Sequence, residues 1–425
     1  MTFISFKIRF LLTFCYCNLI CTGMQAQDYA RKIVDKLASK SYHGRGYVKK
    51  GDHKAAKFIA VEMKKKALET FNGSYFQSFE VPVYTYPSKM IVKFGNRALL
   101  PGIDFLIAPG SPGIKGSFQL VRITARELLS QQLPILKSSS VVMIELIDRK
   151  YFSKEEVAIL DMQIDLLKYQ PNQDIIAVIE LTDEKLTWGL STKSSLRTIL
   201  YVANKVVSSE VSHVDLNIMG NYTDNYKTQN VIGYLPGESD SLIVLTAHYD
   251  HLGMMGSQAI FPGANDNASG VAMLLDLSDF HSKNERKYTM VFIAFGAEEL
   301  GLLGSRYFIE NPLIDLNKIK FLLNFDMAGT GDEGIQVVNG NIHRYQFDRL
   351  NGLNNKFSLM KQIKARGEAC NSDHCFFHFY GVPSFFIYTL GGIQAYHDIY
   401  DRAETLPLTD FQDYKKLIIE FIKGF

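Results

Sequence analysis

Apolar positions recur along this chain with two periods, and the period changes mark its organisation. In residues 28–40, Ile33, Val34 and Leu37 share one helical face, and in 52–68 Ala55, Ala56, Ile59, Met63 and Ala67 form a helical stripe behind a possible N-cap at Asp52. Tyr75 to Val83 reads as a strand. Between about 86 and 212 the texture shifts to short β-type runs (Met90–Phe94, Ser117–Ile123, Val141–Leu146, Ile175–Leu181, Thr198–Val202) separated by Gly, Pro and Ser clusters such as Pro109-Gly110-Ser111-Pro112-Gly113. Beyond Asn230 the pattern becomes regular. Strand-type runs at Ile243–Ala247, Tyr288–Phe295, Phe321–Phe325 and Ser384–Tyr388 alternate with helical patterns at Ala268–Phe280, Leu302–Ile309 and Phe411–Ile422. Fully apolar strands alternating with helices predict an α/β fold: a mostly parallel central sheet with helices on both faces, plus a β-rich inserted module. The expected organisation is an export leader over 1–26, an N-terminal part of the main domain over 27–85, the insert over 86–212 and the main part over 213–425.

The first residues carry a different signal. Lys7 and Arg9 precede a mostly apolar stretch from Phe10 to Ile20, and Met24-Gln25-Ala26 supplies small-residue cleavage chemistry. That is the architecture of a signal peptide, and the run is too short and too polar for a good membrane span. The expected location is secreted or periplasmic, with no stable membrane span in the mature chain. Cleavage there would take Lys7 and Arg9 from the 46 basic residues and nothing from the 44 acidic ones, so the formal charge would fall from +2 to zero. The longest basic run left, Lys64-Lys65-Lys66, reads as a solvated helix face, and nucleic-acid binding has no electrostatic support. Cys370 and Cys375 lie outside the leader, and their spacing neither demands nor forbids a disulfide. Oligomeric state is not encoded in any of these patterns.

Sites in open α/β sheets form just beyond the C-terminal ends of strands. His248 and Asp250 follow one predicted strand, Glu298 and Glu299 the next, Asp326 ends a third and His397 lies beyond a fourth. Asp266 sits in Gly263-Ala264-Asn265-Asp266-Asn267-Ala268-Ser269-Gly270, at the start of a helix. Acidic side chains set hard against apolar runs are costly unless paired or metal-bound, so their repeated placement at one sheet edge argues for a shared cation. Imidazole and carboxylate both suit zinc. Two histidines and three carboxylates exceed what one catalytic zinc needs, whereas a bridging carboxylate lets such a set hold a pair of ions. Singly, each residue has a structural explanation: Asp266 as an N-cap, Glu298-Glu299 as charge on a helix N-terminus, His248 as a packed core histidine. The joint pattern favours the site.

His248-Tyr249-Asp250, the Gly263–Gly270 segment, Ala297-Glu298-Glu299-Leu300-Gly301, Asn324-Phe325-Asp326 and Tyr396-His397 together resemble the ordered signature blocks of the M28 metallopeptidases, over roughly Asn230 to Leu406, with weaker similarity over 28–85. The resemblance implies a secreted di-zinc exopeptidase that removes N-terminal residues from peptides by metal-activated water. It implies metal ligation by His248, Asp266, Glu299, Asp326 and His397, with Asp266 bridging two Zn2+, or other divalent metals in their place. It makes Glu298 the general base, Asp250 the residue orienting His248, and Asp401 a support. Ser372-Asp373-His374 also matches a family block, but a cap at Asp373 and packing at His374 explain it as well; a pocket-lining role is open to Tyr388 and Tyr396, with core packing the favoured reading of both. The insert occupies the place of the protease-associated domain in secreted members of that family. Carboxypeptidase and glutaminyl cyclase activities share this scaffold; Asn267 after Asp266 disfavours the cyclase. A non-catalytic binding ectodomain is the reading from another class, and the retained ligand set disfavours it.

Overall fold

The computed structural model describes residues 29–171 and 174–425. The expected leader, 1–26, lies outside the described residues. Among the described residues no helix is long and apolar enough to cross a membrane.

The main sheet has eight strands: Phe76–Thr85 (β1), Asn221–Leu235 (β2), Ser239–His248 (β3), Tyr288–Phe295 (β4), Ile319–Phe325 (β5), Ile335–Val338 (β6), Ile363–Ala365 (β7) and Ser384–Thr389 (β8). Across the sheet they run β1-β2-β4-β3-β5-β8-β6-β7. The four central strands β4, β3, β5 and β8 are mutually parallel, while β1, β2 and β6 join antiparallel at the flanks. Parallel strands are buried on both faces, which explains the mostly apolar character of the buried stretches of β3, β4 and β5. Along β3 the burial alternates between layers. Ile243, Leu245 and Ala247 join a core closed by helices Gly51–Lys65, Gly270–Ser282 and Phe411–Lys423, whereas Leu242 and Val244 face Phe308 and Phe377 of helices Leu303–Glu310 and His374–Phe379. Helices therefore cover both faces, as the alternation in the sequence predicts.

A second eight-stranded sheet runs from Ile91 to Ile218, with its own helices Ala125–Ser130 and Lys154–Tyr169. The expected boundary at 212/213 is too early. Strand His213–Ile218 pairs with both Ile91–Phe94 and Ile114–Ile123 and so belongs inside that sheet. The reason is local: Val214, Leu216 and Ile218 alternate inward, a period-two pattern too short to stand out beside the polar stretch that follows. The core of this sheet is continuous with the main domain, since Leu252, Met255, Phe261 and Ile399 pack into it.

Helix Gly270–Ser282 carries a buried histidine with a consequence for acid stability. Burial, then the charges of Arg286, Lys415 and Lys423, lower His281 to about 4. Its unfolded value is near 6.5, so the unfolded chain binds the extra proton first and stability falls as pH drops from 6.5 toward 4. By this group alone the loss at pH 4.5 is about 2–3 kcal/mol. His281→Leu is expected to flatten the acid side of the profile, read by urea unfolding at pH 7 and 4.5. An equal acid loss in the variant would assign the effect elsewhere.

Candidate metal centre

The C-terminal ends of the parallel strands bring the expected residues together. His248 closes β3, with Asp250 and His251 in the turn beyond it; Glu298 and Glu299 follow β4, and Asp326 follows β5. Asp266 lies in the irregular turn Ala264–Ser269 that feeds helix Gly270–Ser282, and His397 stands in the loop after β8. Gly263 opens that turn with φ 59°, and a Cβ there would collide with the Asp266 carbonyl and the His251 ring, so no larger residue fits.

Asp266 is the hub. Its Oδ1 lies 3.3 Å from His248 Nε2 and its Oδ2 3.1 Å from His397 Nε2. His248 Nε2 is also 3.3 Å from Asp326 Oδ1, and His397 Nε2 is 3.3 Å from Glu299 Oε2. Two groups of donors therefore face one carboxylate, His248 with Asp326 and His397 with Glu299. Donor atoms of His248, Glu298 and Asp326 all fall within 4.8 Å of one another, and so do those of His251, Asp266 and Glu299.

The surroundings explain how these side chains are aimed. His248 donates from Nδ1 to the Asp250 backbone carbonyl at 3.2 Å. Asp250 thus meets that ring through its backbone. The carboxylate instead accepts from the Glu298 and Glu299 N–H groups at 3.1 and 3.4 Å and from the Tyr47 hydroxyl at 3.3 Å, so it holds the Glu-Glu backbone. Asp401 accepts from the Asn265 and Asp266 N–H groups at 2.8 and 2.9 Å and so holds the backbone of that turn. Ser372 donates to Asp326 Oδ2 at 3.1 Å, and the disulfide Cys370–Cys375 brackets Ser372. His251 was not singled out from sequence. Its fully buried ring donates from Nδ1 to Glu299 Oε1 at 2.7 Å, leaving Oε2 toward His397. The only sequence cue was its place one residue after the His248-Tyr249-Asp250 block. Arg45, also missed and fully buried, donates to the carbonyls of Tyr249, Pro262, Gly263 and Asp266, tying both ligand loops to the N-terminal segment.

The electrostatics ask for cations. Burial alone would lower His248, but Glu298, Asp326 and Asp266 hold it well above its ordinary value; His397 is likewise driven against burial to about 11 by Glu299 and Asp266. Burial, with Glu299 nearby, raises Glu298 well above the usual carboxylate range, and burial carries Asp250 and Asp373 to about 7. Between the protein groups alone, then, protons must balance a surplus of buried carboxylate. Asp326 Oδ1 is buried without a hydrogen-bond donor. An orphaned oxygen, imidazole Nε2 atoms aimed inward and a shared carboxylate fit a pair of divalent ions.

A cleft of about 280 Å³ opens on this cluster, lined also by Arg366, Asn371, Tyr388 and Tyr396. Tyr388 and Tyr396 therefore face the cleft, against the packing expected of them, and Tyr396 stacks on the His397 ring at 4.0 Å. His374 does pack: its buried ring donates to the Ala369 carbonyl and lies 5.3 Å from Phe386. Asp373 precedes the following helix without capping it.

The strand ends of an open α/β sheet thus gather imidazoles and carboxylates around Asp266, a donor set suited to divalent metal. The model of Peptidase family M28 matches residues 230–422, and the segment that builds this site belongs to that family. Over 180 residues the chain is 31% identical to a probable leucine aminopeptidase of Trichophyton verrucosum (strain HKI 0517), covering 39% of this chain and 47% of that protein. It is also 31% identical over 169 residues to aminopeptidase YwaD of Bacillus subtilis (strain 168), covering 38% and 35% respectively. The chain thus spans about half or less of the length of these curated relatives. In fold it is similar to BSAP, a zinc aminopeptidase from Bacillus subtilis, with a TM-score of 0.68 at 20% identity over 93% of this chain and 94% of that one. The aminopeptidase from Aneurinibacillus sp. strain AM-1 gives a TM-score of 0.60 at 19% identity, covering 93% of each chain.

Proposed function

We propose that this chain is a di-zinc aminopeptidase that removes N-terminal residues from peptides. The observation that carries the reading is the shared carboxylate: Asp266 faces both His248 and His397, each backed by its own acidic partner, with Glu298 alongside. The names of the relatives favour aminopeptidase action, and the zinc of the structurally similar Bacillus enzyme favours zinc. Asp266 would join the two sets; His248 and Asp326 would hold one ion, His397 and Glu299 the other. When bound, such a pair acidifies a water and polarises the scissile carbonyl. Glu298 takes the proton from the attacking water and delivers it to the leaving amine. Cobalt or manganese in place of zinc is compatible with the same donors. The Cys370–Cys375 disulfide suits an oxidising compartment, in keeping with the export pattern of residues 1–26.

The test is hydrolysis of matched peptides with free amines, acetylated amines and amidated carboxyl ends, with and without chelator. Free-amine and amidated peptides are expected to be cleaved, acetylated ones spared, and chelator to abolish turnover. Cleavage that required a free carboxylate would convert the reading to a carboxypeptidase. No stoichiometric zinc and no hydrolysis of any peptide would favour a non-catalytic binding ectodomain.

A further inference from the structure

The two inward-facing imidazoles are anchored in the same way but from different parts of the chain. His248 rests its Nδ1–H on a carbonyl two residues away. His397 rests its own on the Trp188 carbonyl at 3.0 Å, and Trp188 belongs to the insert. The Trp188 N–H returns a bond to the His397 carbonyl at 2.9 Å, so one insert residue grips both the ring and the backbone of His397. That backbone needs holding, because His397 sits at φ 52°, in the left-handed region that a non-glycine residue rarely occupies.

The grip extends along the loop. Lys185 Nζ donates to the carbonyls of Gln394 and Tyr396 at 2.6 and 3.2 Å and pairs with Asp398 Oδ2 at 2.7 Å. Trp188 is itself fixed: its indole N–H donates to the Ile107 carbonyl at 2.8 Å, and its ring lies 4.8 Å from Phe261. A bonded Nδ1–H dictates the tautomer and turns Nε2 toward Asp266 and Glu299.

We infer that the insert is a working part of the metal centre, its 185–188 segment acting as the positioning element that sets the affinity of the His397–Glu299 half. This rests on reading the cluster as a two-ion centre. The insert then cannot be treated as a detachable appendage, and any ligand or partner that shifted it would alter one ion and spare the other. Lys185 and Trp188 are positioning residues, since neither touches the reacting atoms.

Lys185 is the residue to test, because its side chain is 46% exposed. In the full chain, Lys185→Ala is expected to weaken binding of one zinc by roughly tenfold to a hundredfold, the range for groups that orient a ligand, with the second ion unchanged. Zinc titration against a chromophoric chelator reads the two affinities. Cobalt(II) substitution reads the geometry, with altered visible absorption from one site only. Melting of the chelated protein should match the parent. Two unchanged affinities would overturn the inference while leaving the metal centre standing. Equal weakening of both ions, or a lower melting point of the chelated form, would also overturn it, as general destabilisation. A parent chain that took up no zinc would remove the two-ion reading itself, and the inference with it.

Discussion

Glu298→Gln is expected to retain about two equivalents of zinc and to lose roughly 10²- to 10⁴-fold in turnover, the span of a general base. Glutamine keeps the volume and the polar ends of the side chain and loses only the capacity to accept a proton. The backbone of this residue is held independently, by its N–H donating to Asp250 Oδ1 at 3.1 Å, so the substitution leaves the strand-end turn in place. The competing assignment is that Glu298 is itself a ligand of the His248–Asp326 half, since their donor atoms cluster within 4.8 Å. The two assignments separate cleanly. A base mutant loses kcat at full metal occupancy with KM nearly unchanged, whereas a ligand mutant loses metal first. Parent-like turnover in Glu298→Gln would end the proton-shuttle mechanism.

What the sequence revealed follows from which interactions leave a mark on residue type. Strands buried on both faces must be apolar throughout, so β3, β4 and β5 announced themselves, and the charged residues ending them stood out by contrast. Asn221–Leu235 was missed because its first half, Asn221-Tyr222-Thr223-Asp224-Asn225-Tyr226-Lys227, faces largely outward and pairs with β1, so nothing there demands an apolar run. The helix Arg344–Phe357 buries only Phe347, Leu350 and Asn354 and reads as a polar segment. The structure brings all six expected residues of the candidate site to one point. The contacts that aim them were not legible. The Asp250 and Trp188 carbonyls orient the two imidazoles through backbone atoms that every residue possesses, and no side-chain pattern can report them. Arg45 is similar, donating to main-chain carbonyls more than two hundred positions away. Asp250 reaches the His248 ring through its carbonyl, while the partner of its carboxylate depended on how β4 ends, which its neighbours in sequence do not tell.

Asp266→Ala is expected to abolish zinc retention at both halves, where replacing Asp326 or His397 would cost one. The argument is geometric. Each oxygen of Asp266 faces a different imidazole, at 3.3 and 3.1 Å, so no other residue in the cluster belongs to both sets. The loop should survive the substitution, because its shape depends on main-chain bonds. Asp401 receives the Asp266 N–H at 2.9 Å, and Arg45 donates to its carbonyl at 3.1 Å. The effect is therefore read best as a loss of linkage rather than a loss of fold. Zinc at a hundred times its dissociation constant stabilises a protein that binds it only when folded by about 2.7 kcal/mol per site. The parent should show that rise in melting temperature on zinc addition. Asp266→Ala should melt at the same temperature with zinc and with chelator, and should show no turnover. A variant that kept one ion at parent affinity would mean that the shared carboxylate serves a single half, and the centre would then have to be described as two independent sites.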